Sequence, residues 1–173
     1  MIPFFDTHYV IRRPRERVFD FLSDFEQYWK ELPEFNGSRL KTDQSPVVEG
    51  KVYWIRTEDR SYQFQTRLEV LEVEPPERFV YEYSYYPREG DRKTKDLQAL
   101  SAKEGPMPWN RARVILTLDE CDQGTRVRAQ MQVFGVEGFF ARWKVSTLKT
   151  ACARAQKGAN ANMVRVAEKH ISE

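Results

Sequence analysis

Residues 9–29 read YVIRRPRERVFDFLSDFEQYW, and a change of period inside this stretch decides the fold. Through residue 12 the chain alternates. Phe5, Thr7, Tyr9 and Ile11 share one face of an extended segment (4–12), and His8, Val10 and Arg12 share the other. Pro14 then suits the first position of a helix, where a missing N–H costs nothing. Beyond it Val18, Phe21, Leu22 and Phe25 recur at helical spacing and mark one apolar face. Asp24 with Gln27 has the form of an N-cap and its reciprocal partner. A second short helix therefore restarts there, carries Trp29 near its end and stops at Pro33.

Working outward, strands dominate residues 38–135. Segments 50–59 and 60–74 read as a hairpin about Asp59–Arg60. In the second segment Tyr62, Phe64, Thr66, Leu68 and Val70 face one way, and Gln63, Gln65, Arg67 and Glu69 the other. The first has two nearly equally apolar faces (Val52, Trp54, Arg56 against Tyr53, Ile55, Thr57), which leaves its inside open. After Pro75–Pro76, residues 78–86 alternate with Phe79, Tyr81, Tyr83 and Tyr85 on one face. Segments 111–120 and 125–135 form a hairpin through CDQG. Ala112, Val114, Leu116 and Leu118 share a face, as do Val127, Ala129, Met131 and Val133. One apolar and one polar face predicts an antiparallel sheet covered on a single side.

The cover is a helix over 137–171. Leu148, Cys152, Ala155, Ala159, Met163 and Val166 form its stripe, and Arg154, Lys157, Arg165 and Lys169 avoid it. The middle of the stripe is built from Cys152, Ala155, Gly158 and Ala159, so either the helix approaches the sheet closely or room is left over. Asn162 stands on the shoulder as a polar group for the interior. The long connection 87–110 is a candidate lid, and TKDLQALSAKEG within it reads as a short helix ended by glycine.

Composition narrows the function classes. The chain has 173 residues, 40% hydrophobic and 31% charged, the balance of one ordinary folded domain spanning 1–173. Net charge is +2, too even overall to argue for a nucleic-acid partner or an anionic membrane. Two cysteines, Cys121 and Cys152, do not make a disulfide framework or a cysteine-built zinc site. The two histidines, His8 and His170, have no metal-ligand spacing, so no metal or other cofactor is expected. No secretory leader and no apolar run of membrane-spanning length is evident, and the expected location is cytoplasmic. Phe134, Phe139 and Trp109 are the surface aromatics that would mark a dimer contact if the chain is a homodimer and not a monomer.

The quoted stretch resembles the opening of the START-related SRPBCC superfamily of polyketide cyclase/dehydratase-like proteins. The matching elements are Ile11, Pro14, Val18–Phe19, Leu22, Asp24 and Trp29. LEVLEVEPPERFVYEY and DECDQGTRVRAQMQV resemble two further junctions of that superfamily. The resemblance implies an α+β helix-grip fold: a curved seven-stranded antiparallel sheet around the long C-terminal helix, with residues 13–35 as a wedge at one end. It also implies a cavity between sheet and helix. On the face assignments above, the candidate lining is Trp54, Tyr62, Phe64, Thr66, Tyr81, Tyr83, Tyr85, Val114, Met131, Ala155, Ala159 and Asn162. A hydrophobic or aromatic small molecule is the expected partner. It is either substrate of a cyclase/dehydratase-like reaction or cargo of a non-catalytic carrier or sensor of a lipid, quinone or similar metabolite. No acid–base pair stands out, and catalytic residues are not assigned.

Overall fold

The change of period at Pro14 is realised in the computed structural model as β1 (Ile2–Ile11), α1 (Arg15–Ser23) and α2 (Phe25–Tyr28). The structure describes residues 1–28, 31–32, 38–41, 45–57, 64–87, 99–101 and 103–171, the side chains of Gln27, Ser38 and Thr57 excepted. Trp29, Pro33 and the turn expected at Asp59–Arg60 lie outside the described residues. Pro14 is the residue before the first helical turn, and the Asp24 carboxylate accepts the Glu26 backbone N–H at 3.1 Å, which starts α2 as expected of a cap.

The remaining elements are β2 (Ser38–Lys41), β3 (Val52–Thr57), β4 (Phe64–Glu74), β5 (Arg78–Pro87), β6 (Arg111–Cys121), β7 (Gly124–Phe134) and α3 (Phe139–His170). The strands form one seven-stranded antiparallel sheet in the order β1-β7-β6-β5-β4-β3-β2. Bulges between Pro3 and Phe5 and between Val70 and Glu72 add local bend, which helps a single sheet wrap a helix.

The wrapped face is the apolar one. Val70, Phe79, Ala112, Val127 and Val133 are buried along it, and α1 and α2 close one end with Val18, Phe21, Leu22 and Phe25. The Phe25 ring packs 5.3 Å from Tyr53, 5.8 Å from Phe79 and 5.1 Å from Tyr81. The segment therefore acts as the expected wedge, with Phe25 and Tyr28 as its buried aromatics.

The C-terminus of α3 is held by Arg13. Its guanidinium donates to the carbonyls of Ile171 (2.7 Å) and Glu168 (3.0 Å). These are carbonyls that a helix end leaves without internal partners, and a cation also complements the dipole there. Trp109, expected on the surface, is buried at 2% exposure with its ring 5.0 Å from Phe4. Large flat side chains in a long connection are readily drawn into a core by the area they remove from water. The helix expected over residues 94–105 is not seen in its described part. Residues 99–101 are irregular and 103–110 hold turns and bends, with the Gly105 N–H bonded to the Ser101 carbonyl at 2.9 Å.

Candidate functional site

Between the sheet and α3 lies a cavity of about 180 Å³. The sheet side is lined by Phe5, Tyr9, Tyr81, Val114, Leu116 and Ala129, which strand alternation sends to the concave face. The helix side is Gln156, Ala159, Asn160 and Met163, and Leu22, Tyr28 and Leu32 close the end.

Of the twelve residues nominated from sequence, the structure brings Tyr81, Val114 and Ala159 to this cavity. Phe64, Thr66, Tyr83, Tyr85 and Met131 share the same concave face but lie further along it. Phe64 packs edge-on to Tyr85 at 5.7 Å, and the Tyr83 hydroxyl donates to the Met131 sulfur at 3.5 Å. Tyr62 lies outside the described residues.

Three nominations are corrected. Trp54 is on the convex face, edge-on to Tyr86 at 5.3 Å. Its neighbour Tyr53, 0% exposed, takes the inner position because it pairs with Leu68. Ala155 is exposed, as is Gly158, and no atom comes within 4 Å of a Cβ built on that glycine. The true stripe runs through Val145, Leu148, Cys152, Gln156, Ala159 and Met163. Asn162 is half-buried away from the cavity, and the inward amides are Gln156 and Asn160.

These two amides form a short relay. Gln156 donates to the Asn160 side-chain oxygen at 3.0 Å, and Asn160 donates to the Thr7 hydroxyl at 2.9 Å. Thr7 stands on β1, so the relay ties the middle of α3 to the sheet beside the cavity. Sequence reasoning passed over both amides because polar residues were not counted in an apolar stripe. Their signal is the spacing of four that follows Cys152.

The cavity's electrostatics are those of neutral phenols. Burial pushes the hydroxyls of Tyr9, Tyr28 and Tyr81 above the ordinary tyrosine value, and the nearby Tyr81 adds to the shift of Tyr9 and Tyr28. Tyr28 donates to the Leu22 carbonyl at 3.2 Å. Burial likewise raises Tyr83 and Tyr85. Each phenol is thus a hydrogen-bond donor at neutral pH.

A pH dependence follows. Unfolded tyrosines ionise near the ordinary value of 10.0, whereas the folded ones retain their protons. Between these limits the folded state binds more protons, so stability falls as pH rises above about 10. Ultraviolet titration is expected to show these tyrosines ionising only together with loss of structure. Normal, reversible ionisation of every tyrosine in folded protein would contradict it.

The remaining sequence candidates are peripheral. His8 is exposed on the convex side. His170 contacts Glu31 and stacks on Phe21 at 6.0 Å, which accounts for it structurally. Cys121 and Cys152 are free and half-buried. Among the described residues no group of three or more His, Cys, Asp or Glu is placed to hold a metal ion, and no helix is long and apolar enough to cross a membrane.

Comparison with known proteins agrees with the architecture. A family model described as Activator of Hsp90 ATPase homolog 1-like protein matches residues 12–166. No curated protein matches the chain. A solved structure from Chromobacterium violaceum is 16% identical, covers 95% of this chain and 96% of its own, and superposes with a TM-score of 0.59. Ara h 8.0201 is 7% identical over 96% of this chain and 95% of its own, with a TM-score of 0.60. DynU16, from the dynemicin biosynthetic locus, is 16% identical over 95% of this chain but 45% of its own, with a TM-score of 0.51. Likeness at such identities is a likeness of fold. The family match spans the wedge, strands β2 to β7 and most of α3, and by it the chain belongs to the Activator of Hsp90 ATPase homolog 1-like family, within the START-related SRPBCC superfamily of helix-grip proteins.

Proposed function

We propose that residues 1–173 act as a single cytoplasmic domain that holds a small hydrophobic or aromatic molecule in the cavity between the sheet and α3. The observation that carries this reading is the lining. It consists of apolar side chains with three neutral phenols and an amide pair. Among the described residues it includes no carboxylate, imidazole, ammonium or guanidinium. Such a surface accepts a ring on its apolar walls and directs hydrogen bonds to an oxygen at its edge.

Size narrows the ligand. The cavity measures about 180 Å³, and an apolar cavity of about 150 Å³ is known to take up benzene. A compound of about one ring fits this conformation, while a folded polyketide chain requires α3 to move away. The lining favours holding over chemistry. The cyclase/dehydratase-like alternative rests on Tyr81 or Tyr9 donating to a substrate carbonyl.

Calorimetric titration with phenol and indole as probes tests the pocket. The wild type is expected to bind at least one of them, and Ala159→Leu is expected to lose that binding because the new side chain occupies the cavity. Filling empty space should cost under about 1 kcal/mol of stability, against roughly 1–3 kcal/mol for overpacking a tight core. Ala155→Leu, on the exposed side of the same helix, should change neither. A wild type that binds neither probe, or an Ala159→Leu variant that binds as the wild type does, would overturn the pocket. Native mass spectrometry of protein purified from its own host identifies the natural occupant, and chemical alteration of that occupant during incubation would favour the enzyme over the carrier.

A further inference from the structure

The charge of α3 is one-sided. From Gly138 to Ala167 the chain carries Arg142, Lys144, Lys149, Arg154, Lys157 and Arg165 and no aspartate or glutamate, although the net charge of the whole protein is only +2. All of these basic residues are exposed, and among the described residues none is in an ion pair. The nearest acids in sequence are Glu137, just before the helix, and Glu168, which accepts the Arg12 N–H at 3.1 Å. At about 3.6 residues per turn, Arg154, Lys157 and Arg165 fall on the side of α3 away from the sheet.

The same outward side begins with three exposed aromatics. Phe139, Phe140 and Trp143 are 78%, 77% and 61% exposed. Arg142 and Lys144 flank the indole. Beside this tip runs a groove of about 720 Å³ against Pro106, Met107 and Pro108, with Lys103 at its edge. These aromatics contribute nothing to the sheet-facing stripe, so the core does not account for them.

We propose that the outward face of α3 docks on an anionic lipid bilayer, with Phe139, Phe140 and Trp143 at the interface and the basic side chains against headgroup phosphates. Exposed large aromatics beside lysine and arginine are the composition that settles at a bilayer surface, where indole rings favour the headgroup level. Charge complementarity selects this occupant. An unbroken run of one sign suits a sheet of negative charge, whereas a second copy presenting the same face would be repelled. Among the described residues no helix is long and apolar enough to cross a membrane, and the proposed contact is a peripheral one.

Co-sedimentation of the full chain with vesicles decides the matter. One set is phosphatidylcholine alone, and the other contains phosphatidylglycerol as well. The wild type is expected to pellet with the anionic vesicles, not with the neutral ones, and to be released by salt. The double variant Phe140→Ser/Trp143→Ser should lose binding. Arg154→Gln/Lys157→Gln should weaken it about fivefold per charge removed. Both pairs are exposed, and circular dichroism melts should match the wild type. Absence of pelleting, equal pelleting with neutral vesicles, or pelleting unchanged in both variants would overturn the proposal. So would a dimer in sedimentation velocity that the aromatic variant dissociates while vesicles remain unbound, since that assigns the face to a second copy.

Discussion

Phe25→Ala is expected to lower the free energy of unfolding by about 3–5 kcal/mol, the usual cost of truncating a large aromatic in a core. Phe25 is 3% exposed, and its ring meets Tyr28, Tyr53, Phe79 and Tyr81 at centroid distances of 6.0, 5.3, 5.8 and 5.1 Å. The pairs with Tyr53 and Tyr81 are edge-to-face, the arrangement aromatic quadrupoles prefer. The side chain sits on a four-residue helix, which is too short to be stable by itself and is held by packing. The surrounding rings are fixed on α2 (Tyr28), β3 (Tyr53) and β5 (Phe79 and Tyr81) and cannot all collapse together to refill the space. Thermal or denaturant melts read the effect. A loss below about 1 kcal/mol would mean that α2 does not plug the sheet.

Gly124→Ala is the second large effect, expected at about 3 kcal/mol. Gly124 opens β7 directly after the two-residue connection of the β6–β7 hairpin, at φ +128°, a region side chains rarely enter. An added Cβ would lie 2.5 Å from the Ile11 carbonyl oxygen and 2.9 Å from both Arg12 Cα and Arg13 N. All three are backbone atoms, so relief requires the end of β1 to shift. That shift would also disturb Arg13, whose carbonyl accepts the Thr125 hydroxyl at 2.8 Å and whose guanidinium holds the end of α3. Gly50→Ala is the control, because at φ +83° its Cβ meets nothing within 4 Å. It should cost only the backbone strain, about 1–2 kcal/mol. Equal losses at the two positions would show that the contact with β1 plays no part.

The fold was legible because large side chains report their phase. Phe5, Tyr9 and Ile11 on β1, and Phe79, Tyr81, Tyr83 and Tyr85 on β5, hold one phase and mark each strand's inner face, although Phe4, at the bulge, and Val80 are also buried. The helical spacing of Val18, Phe21, Leu22 and Phe25 is equally clear. The candidate site was half legible for the complementary reason. Between Cys152 and Asn160 the helix reads CARAQKGAN, where alanine and glycine are compatible with either side. Apolar spacing therefore chose Ala155, while the packed side continues through Gln156 and Asn160, whose amides find partners in each other and in Thr7. β3 failed similarly: Trp54 and Tyr53 are both large and aromatic, and only pairing with β4 tells inside from outside. Trp109 was misplaced because a loop residue carries no period at all.

The placement of β1 imposes an order of events on synthesis. Among the described residues its only strand partner is β7, with Ile2 opposite Val133 and Ile11 opposite Thr125. Its other supports, Asn160 at Thr7 and Glu168 at the Arg12 N–H, come later still. β1 is therefore synthesised well before β7 and α3, and waits for both before its hydrogen bonds and its apolar face are satisfied. Contacts so distant in sequence slow folding through the entropy of loop closure. In the interval Phe4, Phe5, Tyr9 and Ile11 stand on an unpaired strand, the kind of nascent segment that associates with other chains and that chaperones shield.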